Sequence, residues 1–163
     1  MIMVVNESSS NDYVEKEKER DAYYKREKEI LNNFADTINF NALFTELEDK
    51  LGIKLKFSVE KSIDRQGTLY IKFKSNNIVD SLGVMKFAFK ECVVSSFSCG
   101  LRTTAPDYYA IGEVIDYSKD YKPYYWCSIC LQYVCHDGGR NGVEIADAEY
   151  IDGEWTIEYD KDR

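Results

Sequence analysis

Apolar and polar positions alternate most clearly in the last third of the chain. Between Tyr124 and Cys135, Tyr125, Cys127, Ile129, Leu131, Tyr133 and Cys135 share one face, and Tyr124, Trp126, Ser128, Cys130, Gln132 and Val134 share the other. A period of two carried by aromatic and β-branched residues predicts a strand with one face on a core. The run His136-Asp137-Gly138-Gly139-Arg140-Asn141-Gly142 predicts a turn, because glycine and asparagine tolerate positive φ. Val143 to Ile151 reads as a second strand with a fault: Val143 and Ile145 share a face with Asp147 and Glu149, so a bulge is expected near Ala146-Asp147. Asp152-Gly153 predicts a two-residue hairpin turn. The last strand then puts Trp155, Ile157 and Tyr159 on one face and Glu154, Thr156, Glu158 and Asp160 on the other.

The first half of the chain has a different period. Residues 1–11 show no pattern and are expected to be flexible, and 12–38 reads as a helix whose first half is almost all charge. Asp12 is the expected cap, with Glu15 at the capping-box position, and Ile30, Leu31, Phe34 and Ile38 mark where the helix docks. Tyr13, Tyr23 and Tyr24 are contacts if this helix serves as a partner-binding arm. Asn39 is expected to cap a second helix over 40–51, where Phe40, Leu43, Phe44, Leu47 and Leu51 form an apolar stripe that Gly52 ends. Alternation returns with Ile53, Leu55, Phe57 and Val59 inward, a turn at Asp64-Arg65-Gln66-Gly67, and Leu69, Ile71 and Phe73 inward. Residues 77–82 are expected to form a short helical turn, followed by a long strand to about 101, then a further strand over 108–117.

These elements make one α+β domain over 12–163: two N-terminal helices, then a β-rich body over 53–160 with a mostly antiparallel sheet of six to seven strands. Its 163 residues are enough for a sizeable core. The apolar runs are all too short for a membrane span, and the first residues lack the pattern of a signal peptide, so a cytoplasmic protein is expected. Five cysteines, an odd number, then read as reduced thiols.

Charge changes the picture more than composition does. The chain carries a net −8, and residues 143–163 hold eight acidic residues against two basic ones. The last hairpin is therefore an acidic patch. Direct nucleic-acid binding is disfavoured and a basic protein partner is favoured, with no membrane partner and with the chain a monomer or dimer.

Two constellations compete for a function. Cys127, Cys130, Cys135 and His136 invite a metal- or thiol-dependent enzyme, and their spacing resembles part of a zinc knuckle. A knuckle needs a fourth ligand four residues past His136, where Arg140 stands. A strand also sends residues three apart to opposite faces. Neither a metal nor another cofactor is expected, nor a catalytic set. The stronger constellation is Glu144, Asp147, Glu149, Glu154, Glu158 and Asp160, with Tyr124, Trp126 and Trp155 as aromatic anchors. Like charges on adjacent strands cost stability, and a rigid row of them can compete for a groove that normally holds nucleic acid.

In general type — small, acidic, tyrosine-rich, α+β — the chain resembles the inhibitors carried by phages and mobile elements, such as anti-CRISPR and anti-restriction proteins. That resemblance implies a non-enzymatic inhibitor of a nuclease or nucleoprotein complex. An immunity protein against a toxin nuclease would share the same electrostatics.

Overall fold

The computed structural model describes residues 2–52, 54–76, 89–105 and 121–160, with 2–12 and Phe89 as backbone only. Two helices, α1 (Ile2–Ala35) and α2 (Phe40–Leu51), precede six strands: β1 (Phe57–Ile63), β2 (Leu69–Ser75), β3 (Phe89–Thr103), β4 (Pro123–Cys135), β5 (Arg140–Ile151) and β6 (Glu154–Tyr159). The strands form one antiparallel meander in the order β1-β2-β3-β4-β5-β6. The architecture is α+β. The expected helical turn at 77–82 and strand at 108–117 lie outside the described residues.

The α1 helix starts at Ile2 rather than at Asp12, so residues 2–11 belong to it and Asp12 is not its cap. Residues 2–12 contain no glycine or proline to stop a helix, and serine and asparagine cost only a few tenths of a kcal/mol each, about 0.5 on common scales. Extending a formed helix backwards is then easy. The helix ends at Ala35, short of Ile38, because Thr37 donates to the Phe34 carbonyl through both its backbone N–H (2.9 Å) and its Oγ1 (2.7 Å). Of the expected docking residues, Ile30, Leu31, Phe34 and Ile38 are all half-buried, and Tyr23 and Ala35 are buried.

The α2 helix forms over the expected residues. Asn39 Oδ1 accepts from the Ala42 N–H (3.2 Å), and Gly52 closes the helix in the left-handed region (φ 72°) with its N–H on the Glu48 carbonyl. Its stripe supplies Leu43, Phe44 and Leu47 to the core. Leu43 and Leu47 are wholly enclosed, and truncating either to alanine costs about 2–5 kcal/mol. The Phe44 ring stacks on Phe57 at 4.2 Å, and Phe40 meets Tyr125 edge-on at 5.5 Å.

Strand β1 lies four residues later than the alternation at Ile53 suggested. Residues 54–56 are a connector: Glu48 accepts from the Leu55 N–H (2.8 Å), and Asn76 and Lys56 close the ladder through Lys56 N–H to Asn76 Oδ1 (3.0 Å). Val59 stands on the core side opposite Phe73 yet is 41% exposed. The turn after β1 forms as expected, with Asp64 Oδ1 accepting from the Gln66 and Thr68 N–H groups. Lys28 of α1 clamps that turn by donating to the Gln66 carbonyl at 2.7 Å.

Three register shifts interrupt the central strands, one of them between Phe89 and Glu91 at the start of β3. In β3 the register slips between Ser96 and Ser98, leaving Phe97 half-exposed. Between β4 and β5, Ile129 opposes Ala146 while Cys130 opposes Glu144, so Ile145 is the extra residue. The bulge thus sits one residue before the expected place. It lets Ile145 join the core while Ala146, Ala148 and Tyr150 keep the core face. Among the described residues, both helices pack on this one face of the sheet.

Candidate functional site

The opposite face of β4, β5 and β6 carries the acidic residues. Cross-strand register sets them in rows. One row runs Gly100, Trp126, Glu149, Thr156, and the next runs Ser98, Ser128, Asp147, Glu158. Trp126, Asp147, Glu149, Thr156 and Glu158 surround a shallow depression of about 290 Å³. Ser128 Oγ donates to Asp147 Oδ1 at 3.1 Å and so fixes one carboxylate of the group. Glu149 and Glu158 are exposed.

Trp126 is held over this face by two residues that the sequence reading passed over. A Cβ on Gly100 would lie 2.7 Å from Trp126 Nε1, so only glycine leaves room for the indole. The Arg102 guanidinium stands 5.7 Å from the ring, a cation–π contact. A glycine inside the strand-forming run Cys99-Gly100-Leu101-Arg102 was the available signal, since glycine in a strand often marks a close approach. Tyr124 is half-buried one step along, opposite Arg102.

The remaining candidate residues divide. Glu154 is exposed at the start of β6, on the same face as Glu158. Glu144, Asp147 and Asp160 come together at the far end, with one carboxylate oxygen from each within 4.8 Å of the others. Oxygens so placed are the donor type a hard divalent cation takes, and among the described residues no other trio of metal-ligating side chains converges. Trp155 does not join Trp126. It lies on the helix-covered face, its ring 5.9 Å from Phe40 and 5.0 Å from Tyr150, and its Nε1 donates to the Asn39 carbonyl at 2.8 Å.

The cysteine constellation is taken apart. Cys127 faces the core beside Cys99, whereas Cys130 faces the other side, 3.7 Å from Ser95 Oγ. Cys135 ends β4, where its N–H reaches the Gly139 carbonyl, and His136 is exposed in the turn that follows. Burial pushes the Cys127 thiol up to about 12, with the neighbouring Cys99 adding to the effect. Burial also raises the thiols of Cys92, Cys99 and Cys130. A nucleophilic cysteine needs the reverse shift. Tyr125 is likewise raised, chiefly by burial, and its hydroxyl donates to the Ile71 carbonyl at 2.8 Å as a structural group.

No known protein family, curated protein or solved structure matches this chain. Among the described residues, no helix is long and apolar enough to cross a membrane.

Proposed function

We propose that this chain is a non-enzymatic, cytoplasmic binding protein that inhibits a basic, nucleic-acid-processing partner, in the manner of the anti-defence inhibitors of phages and mobile elements. One observation carries the reading: Asp147, Glu149 and Glu158 converge around Trp126 on a sheet face that no described element covers. On β5 the acidic positions Asp147 and Glu149 are two residues, about 7 Å, apart, and on β6 Glu154 and Glu158 are four residues apart. The sheet fixes the backbone positions of these charges, and such a field accelerates encounter with a basic groove. Trp126 supplies the large apolar contact that charge alone lacks. A nuclease or nucleoprotein complex whose nucleic-acid channel accepts this face would lose its substrate.

The test is capture of the partner from a bacterial lysate by the wild-type chain and by the triple variant Glu149→Lys/Glu154→Lys/Glu158→Lys. All three side chains are exposed, so reversal leaves the core intact. The expected result is a basic protein that the wild type retains at low salt and sheds at high salt. The same protein should escape the variant and lose its nucleic acid to the wild-type chain. Retention by a folded triple variant would overturn the reading.

A further inference from the structure

The two edges of the sheet are built differently. Among the described residues, β1 pairs only with β2 and β6 only with β5. An open edge offers unpaired N–H and C=O groups to any other strand, and proteins commonly blunt it with lysines or with charges pointing toward the core. Strand β1 has this protection. Lys61 stands on the core side, opposite the buried Ile71, and pairs with Asp36 of the connector after α1 at 3.1 Å. Strand β6 (Glu-Trp-Thr-Ile-Glu-Tyr) has no lysine, arginine or proline, and its core-side positions are Trp155, Ile157 and Tyr159.

The direction of its backbone groups follows from the turn. Asp152 (φ 55°) and Gly153 (φ 77°) form a two-residue hairpin, which makes Ile151 and Glu154 a hydrogen-bonded pair. Alternation then points the N–H and C=O of Glu154, Thr156 and Glu158 at β5, and those of Trp155, Ile157 and Tyr159 at the open edge. A strand laid there would meet apolar side chains on one face and Glu154 and Glu158 on the other.

We propose that the β6 edge takes an extended segment of the partner in which apolar residues alternate with lysine or arginine, completing the sheet as a seventh strand. The apolar side chains of that segment lie against Trp155, Ile157 and Tyr159, and its cations lie beside Glu154 and Glu158. A second copy of this chain is a poor occupant. Antiparallel pairing of two β6 strands centred on Thr156 sets Glu154 of each against Glu158 of the other, and pairing centred on Ile157 sets Glu154 against Asp160; directly opposed like charges destabilise a sheet. Charge complementarity therefore selects a basic strand. The inference rests on the proposed basic partner and deepens it by naming the form in which that partner docks.

The experiment titrates the full chain with three capped eight-residue peptides. One alternates valine and lysine. One has the same composition with all the lysines first. One is the alternating peptide, N-methylated at every second residue on the edge-facing side. The expected result is salt-sensitive binding of the alternating peptide, with amide hydrogen exchange slowed at Ile157 and Tyr159. The N-methylated peptide should bind about 30-fold more weakly, the consequence of losing two or three backbone hydrogen bonds, and the lysines-first peptide should bind weakly too. Equal binding of all three would overturn edge docking while leaving the acidic face as a site for cations. Binding by none would overturn both this inference and the basic-partner reading beneath it.

Discussion

Trp126 and Trp155 sit on adjacent parts of one sheet and face opposite ways. Trp155 is surrounded by Phe40, Tyr125 and Tyr150, and its one polar atom is satisfied by the Asn39 carbonyl. Trp126 has Gly100 beneath it, Arg102 above, and carboxylates beside it. The residue type is the same and the roles differ because the neighbours differ. One ring joins the helices to the sheet, and the other is presented on a charged surface. Aromatic residues in a strand therefore say little until their face is known.

The sharpest way to break this comparison is to truncate each ring. Trp155→Ala should cost about 3–5 kcal/mol, as core aromatic truncations do, and it also leaves the Asn39 carbonyl without its donor. Trp126→Ala should cost nearer 1 kcal/mol, the ordinary size for a partly exposed site, while weakening partner capture. Urea denaturation of both variants checks this, and equal costs would remove the distinction between the faces.

Alkaline pH should strike the helix-covered face next. The folded pKa of Cys127 is raised to about 12 from an ordinary 9.0, and Tyr125 shifts the same way. A raised folded pKa means that the unfolded chain releases its proton first. The associated stability is full below pH 9 and is lost as pH rises from there toward 12. The denaturation midpoint should therefore be lower at pH 10.5 than at pH 8, and the drop should be smaller in a Cys127→Ala chain. A flat profile would mean that these groups are not enclosed as described.

The smallest effect is the most local. Gly100→Ala should push the indole of Trp126 off its strand at a cost of about 1 kcal/mol, the low end for overpacking. Read in a Trp155→Phe background, the remaining fluorescence should shift to the red as the ring enters water. An unchanged spectrum would show that Gly100 does not set the pose.

Much of this organisation was legible in the sequence wherever two independent signals agreed. The α2 helix has an apolar stripe, a capping asparagine and a terminating glycine, and all three act as expected. The β5–β6 hairpin combined alternation with Asp152-Gly153, and its register follows. Where one signal stood alone, the boundary moved. Asp12 looked like a cap, but side chains that can cap a helix also tolerate its interior when nothing upstream breaks it. Alternation from Ile53 to Lys56 looked like a strand, yet Glu48 draws the Leu55 N–H toward α2. Within the candidate site, period two put Glu154 and Glu158 on one face and Trp155 on the other. The partners Gly100 and Arg102 were hidden because cross-strand neighbours depend on register, and the β3 bulge at Phe97 shifts that register.

The meander has a consequence for how the molecule assembles. Every described strand pairs with the next described strand, and the β1–β2, β4–β5 and β5–β6 hairpins, joined by short turns, need little loop closure and can zip up early. The helical layer cannot keep pace. The Trp155 indole meets the Asn39 carbonyl across 116 residues, and the α2 stripe finds one wall of its socket only when β6 arrives. During synthesis Leu43, Phe44 and Leu47 leave the ribosome early and wait in water for the rest of the sheet. In that interval a chaperone holding α2 would compete directly with the final closing step.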